Sequence, residues 1–172
     1  MFTQEMGISY SPSAAFTWLL TLLLHSNLVA NVTVLAPNKN PPLRPNFIAN
    51  LRTFSGSLST NLLHDPTSPP TVIQLHAFND LGPADVTLDN LFEGAFQVTT
   101  KQASASVTQG NANGTDPWAL GLQRTFEVDF NSTARSFGWI GWGTAEMPWS
   151  AYQQGEALID TSLADVTLSF LG

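Results

Sequence analysis

The sequence predicts a mainly β protein: a single-domain β-sandwich of jelly-roll type carrying one helix near its N-terminus. Three observations lead there. Phe126, Glu127, Val128, Asp129 and Phe130 alternate apolar with acidic side chains, the period of a strand with one face buried and one wet. Short runs rich in β-branched and aromatic residues recur along the chain, separated by clusters of Gly, Pro, Asn, Asp and Ser. A helix start is legible in one place, where Ser11 can cap and Pro12 can occupy the first helical position ahead of the apolar run Ala14–Leu24.

The elements follow in order. Residues 1–12 have no hydrophobic period and read as an extended arm, leaving 13–172 as one β-sandwich domain with a helix near 13–26. The apolar run is shorter than the roughly 20 residues a membrane span needs. As a secretory signal it has Glu5 and no Lys or Arg before it, so a helix packed on a sheet or on a partner is expected. Strands are predicted at 31–36, 71–78, 94–100 and 166–171; 86–91 reads as a short turn-rich segment leading into 94–100, 103–108 as an extension of that strand, and 155–160 precedes the closing strand. The segments 37–42, 65–70 and 109–117 are loops by their proline, glycine and amide content. No repeat at a fixed period suggests a solenoid or propeller.

The most informative stretch is 125–144. Asn131, Ser132 and Thr133 break the alternating strand in a turn, and 136–144 is its return strand. On that strand Phe137 and Trp139 share one face and Ile140 and Trp142 the other. Apolar on both sides, it should be buried on both sides, within a two-layer fold or against another subunit.

Composition limits function. With 172 residues and no cysteine, the chain can bury a core of its own but has neither disulfides nor thiolate chemistry. Six Lys plus Arg against thirteen Asp plus Glu, net charge −7, cannot build the basic patch that nucleic acid requires. Charged residues make up 11%, far below the roughly 25% of ordinary soluble domains, so the exterior is neutral and polar.

Candidate chemistry is sparse. His25, His64 and His76 have no ligand-spaced companions, so no metal site or cofactor is predicted, and no nucleophile elbow or phosphate-cradling loop occurs. Two carboxylate groupings, Glu127 with Asp129 and Asp160 with Asp165, could do acid–base work or hold calcium, and Glu127 and Asp129, on one strand face, read as a solvated face. Asn31, Asn113 and Asn131 head glycosylation sequons. No catalytic residue is assigned, and the chain is expected not to be an enzyme.

Four pieces carry a likeness of layout: the Leu-rich Leu19–Leu24, then Ile73–Asp80, then Thr87–Phe96, and the Gly-aromatic hairpin segment Phe137–Ile140. In this order they resemble small β-rich virion proteins of tailed bacteriophages, although Gly94-Ala95-Phe96 stands where a Gly-Tyr pair is usual. The resemblance implies a non-enzymatic capsid cement or decoration subunit, located in the virion and partnered by capsid proteins and copies of itself. The expected interface residues are Phe2, Tyr10, Trp18, Phe137, Trp139, Trp142 and Trp149. A rival expectation is a secreted carbohydrate-binding module that stacks sugars on Trp118, Trp139, Trp142 and Trp149. Exposure of these rings separates the two.

Overall fold

A computed structural model describes residues 17–34, 46–65, 71–110, 116, 120–143 and 154–171. The described residues form twelve strands and no helix. In chain order the strands are β1 (Thr17–Leu24), β2 (Leu28–Val34), β3 (Asn46–Thr53), β4 (Leu58–His64), β5 (Val72–Asn79), β6 (Ala84–Leu88), β7 (Gly94–Thr100), β8 (Ala105–Gln109), β9 (Arg124–Asn131), β10 (Arg135–Trp142), β11 (Gly155–Thr161) and β12 (Val166–Phe170).

One structural unit accounts for most of them. A strand of the first sheet ends, three or four residues turn a corner, and a strand of the second sheet begins; β1–β2, β3–β4, β5–β6, β7–β8 and β11–β12 all follow this plan. Like strands stack in parallel. The seven-stranded sheet runs β1-β3-β5-β11-β7-β10-β9 and the five-stranded sheet β2-β4-β6-β12-β8. The result is a two-sheet parallel solenoid in which the last unit, β11–β12, lies between the third and the fourth. Among the described strands only β10 runs against the rest of the larger sheet, antiparallel to both β7 and β9, and with β9 it closes that sheet as a hairpin.

Between the sheets side chains stack row on row. Leu75 pairs with Ala157 and Ala157 with Phe96, so a small residue sits between two large ones and the layer fills. Gly138 continues this row because a Cβ there would stand 2.0 Å from the Glu127 carbonyl oxygen and 2.9 Å from the Phe96 ring. Phe92, Phe96, Phe126 and Phe170 form an aromatic cluster with centroids 5.4–6.1 Å apart in the successive pairs. Most described core residues have no exposed surface to speak of, Leu58, Leu62, Leu75, Val98, Ile159 and Leu168 among them.

At one corner of the stack the core turns polar. Thr53, Asn79, Thr161 and Thr100 occupy neighbouring positions on β3, β5, β11 and β7, and all are buried. Asn79 Nδ2 donates to the carbonyls of Gly56 (2.7 Å) and Pro83 (2.8 Å), while its Oδ1 accepts from Thr53 Oγ1 (3.0 Å) and the Gly82 amide (3.2 Å). Thr100 Oγ1 donates to the Ala164 carbonyl, and so does Thr161 Oγ1. These side chains satisfy backbone groups that the tight corners cannot pair within a ladder.

Three expectations are corrected. The helix near 13–26 does not form over its described part: residues 17–24 are strand β1, paired in parallel with β3. An eight-residue apolar run fits a buried strand or a helix equally well by periodicity, and here β3 offers a template whose ladder every residue of β1 can join. The jelly-roll sandwich gives way to parallel sheets, and the absence of a repeat to a recurring unit. That unit starts at Thr17, Asn46, Val72, Gly94 and Gly155, so no constant period exists for a sequence scan to find. The predicted arm at 1–12 lies outside the described residues.

Candidate interaction surfaces

The hairpin forms as its alternation predicts, but a bulge divides it. Phe126 pairs with Ile140 and joins the core, whereas the register shifts at Phe137/Gly138 and Phe130 pairs with Phe137 on the outer face, rings stacked at 5.5 Å. Strict alternation had placed Phe126 and Phe130 on one face. Arg135 lies over the Phe137 ring at 5.0 Å and donates to Gln97 at 2.7 Å, which holds this aromatic pair partly open to solvent.

The expected interface residues scatter. Trp18 is on the inner face of β1, packed against the core. Trp139 and Trp142 are each 6% exposed. Trp139 lies over Gly141, where a Cβ would come within 2.3 Å of its ring, and its Nε1 donates to Gln154. Trp142 is capped by the Arg124 guanidinium at 5.3 Å. Both rings are covered by their own chain, so neither offers a sugar platform. Of the four among the described residues, Phe137 alone is a partly exposed ring stacked on another exposed ring, that of Phe130. Phe2, Tyr10, Trp118, Trp149 and the sequon residue Asn113 lie outside the described residues.

The titratable groups that the fold brings together are structural ties. His64, buried at the end of β4, sets Nδ1 2.9 Å from Asp89 Oδ1 and Nε2 3.1 Å from the Thr71 carbonyl oxygen. The Asp89 carboxylate also accepts the backbone amides of His64 and Leu91. Burial raises the Asp89 pKa, but the His64 hydrogen bond and charge and the two amides outweigh it, leaving a net shift below the ordinary 3.8. Both ring nitrogens of His64 are engaged with oxygens of its own chain, and the side chain has no exposed surface to present to a substrate. Arg124 is pushed down to about 10 by burial, against the charges of Glu93 and Asp89, and donates to the Phe92 carbonyl at 2.7 Å. His76 faces Glu156 at 3.8 Å on the open face of the larger sheet. No cluster of three or more metal-ligating side chains occurs among the described residues. Glu127 and Asp129 are exposed, and Asp165 caps the corner before β8 through the Ser104 amide.

Two surfaces remain that sequence reasoning did not single out. The first is β1 itself, at the end of the stack. It pairs with β3 on one side and with no other described strand, carries no charge, and exposes Leu19 and Leu23 at 68% and 66%. The second is the outer face of the five-stranded sheet. Two rows cross it in register: Val29, Ser59, Asp85, Thr167 and Ser106, and beside them Asn31, Asn61, Thr87, Ser169 and Thr108. Side chains bond along the rows, Asn61 Nδ2 to Asn31 Oδ1 at 2.8 Å, Ser106 Oγ to Thr167 Oγ1 at 3.2 Å, and Thr108 with Ser169 at 3.0 Å. The signal was present as a polar-x-polar triplet in four of the five units, the first contributing Val29-x-Asn31, but without the stacking order the triplets do not align.

No protein-family model, curated protein or solved structure matches the chain.

Proposed function

We propose that the protein is a non-enzymatic structural module that works through subunit–subunit contacts, with the end strand β1 as the contact element. One observation carries this: β1 is eight residues long, uncharged, exposes Leu19 and Leu23 beside Thr17 and Thr21, and among the described strands pairs with β3 alone. An edge strand offers a row of unpaired N–H and C=O groups, and soluble proteins usually blunt it with Lys, Pro or a bulge. β1 has none of these. A second copy fits this edge because two uncharged Thr/Leu strands can pair across a twofold axis without bringing the net charge of −7 on each copy into the contact. The setting implied by the layout resemblance, a cement or decoration subunit of a phage particle, is the finer part of the proposal.

Light scattering on the purified chain tests it. We expect a dimer or larger species at micromolar concentration, and a monomer with unchanged circular dichroism for Leu19→Lys/Leu23→Lys. A wild-type monomer at that concentration, or variants that associate as the wild type does, overturns the proposal. The interface should exceed the roughly 1,000 Å² of a specific contact. Density for the chain on the surface of a native phage particle would support the finer part.

A further inference from the structure

We propose that the outer face of the five-stranded sheet is a binding surface for ordered water, and that the protein adsorbs to ice. The geometry is that of a two-dimensional grid. Strand separation fixes one repeat at about 4.8 Å, and alternate residues along a strand fix the other at about 6.6 Å. The pairings of β2, β4, β6, β12 and β8 run without a register shift, so the grid continues for about 19 Å across the strands. At its nodes stand short neutral groups: Asn31, Asn61, Thr87, Ser169 and Thr108 in one row.

Three features select the ligand. Asn61 bonds to Asn31, Ser106 to Thr167 and Thr108 to Ser169, so the rotamers of these three pairs are set before binding and each member still has unused donor or acceptor capacity for an outside oxygen. Long charged side chains, which hold disordered water, are placed elsewhere. The outer face of the larger sheet carries Arg52, Glu156, Asp160, Arg135 and Glu127, while the two rows here carry only Asp85, in a chain of net charge −7. With one carboxylate among its ten positions, the grid faces a neutral lattice almost without charge. Finally, neither row contains an aromatic ring, the usual platform for a sugar, which favours a lattice of water oxygens over a polysaccharide.

The test is the growth of single ice crystals in a solution of the full chain, followed by osmometry on a cold stage. The expected result is faceted crystals and a gap between melting and freezing points that widens with protein concentration. Thr87→Tyr and Asn61→Tyr raise a bulky ring above the grid and should abolish the gap, with Asn31→Tyr at the sheet edge as a substitute if either fails to fold. Asn50→Tyr, on the outer face of the larger sheet, should leave it intact, and Asp85→Thr should widen it. Unfaceted discs with the wild type, an equal gap in folded Thr87→Tyr and Asn61→Tyr, or retention on crystalline cellulose or chitin without any effect on ice would each overturn the proposal. Because Leu19→Lys/Leu23→Lys leaves the grid untouched, faceting by that variant separates this surface from the assembly role of β1.

Discussion

The His64–Asp89 pair ties the end of β4 to the residue just after β6, and its two members differ in what their loss does. Removing the imidazole leaves a buried carboxylate with only amides for partners, so His64→Ala should cost about 3 kcal/mol in urea unfolding. The pH dependence has a definite sign. A carboxyl whose folded pKa lies below its unfolded value adds stability that is complete above that unfolded value, near 3.8, and is lost as pH falls through the folded one. We therefore expect the stability gap between the wild type and Asp89→Asn to shrink as pH falls below about 3.8. Gly94 shows the opposite kind of constraint. Its φ of +157° and its approach to the facing glycine, where a Cβ would stand 1.9 Å from the Gly155 carbonyl oxygen, leave no room for a side chain. Gly94→Ala should cost about 3 kcal/mol or more by thermal unfolding, because the obstacle is backbone and cannot rotate away.

Among the elements, the corners bear as much weight as the strands. Each must reverse direction between two sheets in three or four residues, which leaves carbonyls and amides facing inward, and the Thr53–Asn79–Thr161–Thr100 ladder takes them up. Asn79→Leu keeps the branched shape and removes all four hydrogen bonds: the Gly82 amide is left buried without its acceptor, and the Gly56 and Pro83 carbonyls keep only the Thr53 hydroxyl and the Leu58 amide. The expected loss is about 3 kcal/mol, measured by denaturant unfolding, with native-state hydrogen exchange accelerated first at Gly82 and its neighbours. Strand β1 makes the complementary point. Its local sequence is compatible with a helix, and its conformation is decided by the parallel edge of β3. The bulge in the β9–β10 hairpin is likewise invisible to alternation, since an extra residue on one strand changes the facing of every side chain beyond it.

For the molecule as a whole the order of stacking matters most. In a solenoid whose units stack as they are synthesised, each unit touches only its sequence neighbours and the ends can fray. Here β11 lies between β5 and β7, and β12 between β6 and β8, so the C-terminal unit is the keystone of both sheets. A chain ending at residue 153 should not fold to a shortened solenoid. We expect it to lose cooperative thermal unfolding altogether, whereas the full chain melts in one transition detected alike by far-ultraviolet dichroism and tryptophan fluorescence. Such long-range parallel pairing also implies slow refolding.

The sequence by itself determined that the chain is built of strands, where most of them lie, that Phe126 and Ile140 belong to one hairpin, and that thiol chemistry is out of reach, because these follow from local periodicity and composition. The tertiary structure alone decided the parallel stacking, the insertion of the last unit, the bulge that parts Phe126 from Phe130, the burial of Trp139 and Trp142, and the alignment of polar-x-polar triplets into a grid. The reason is physical. A side chain's period along a strand reports that one face is buried, but which strand lies beside it is set by pairing between residues as distant as Val166 and Ala84, and that choice leaves no periodic mark in the sequence.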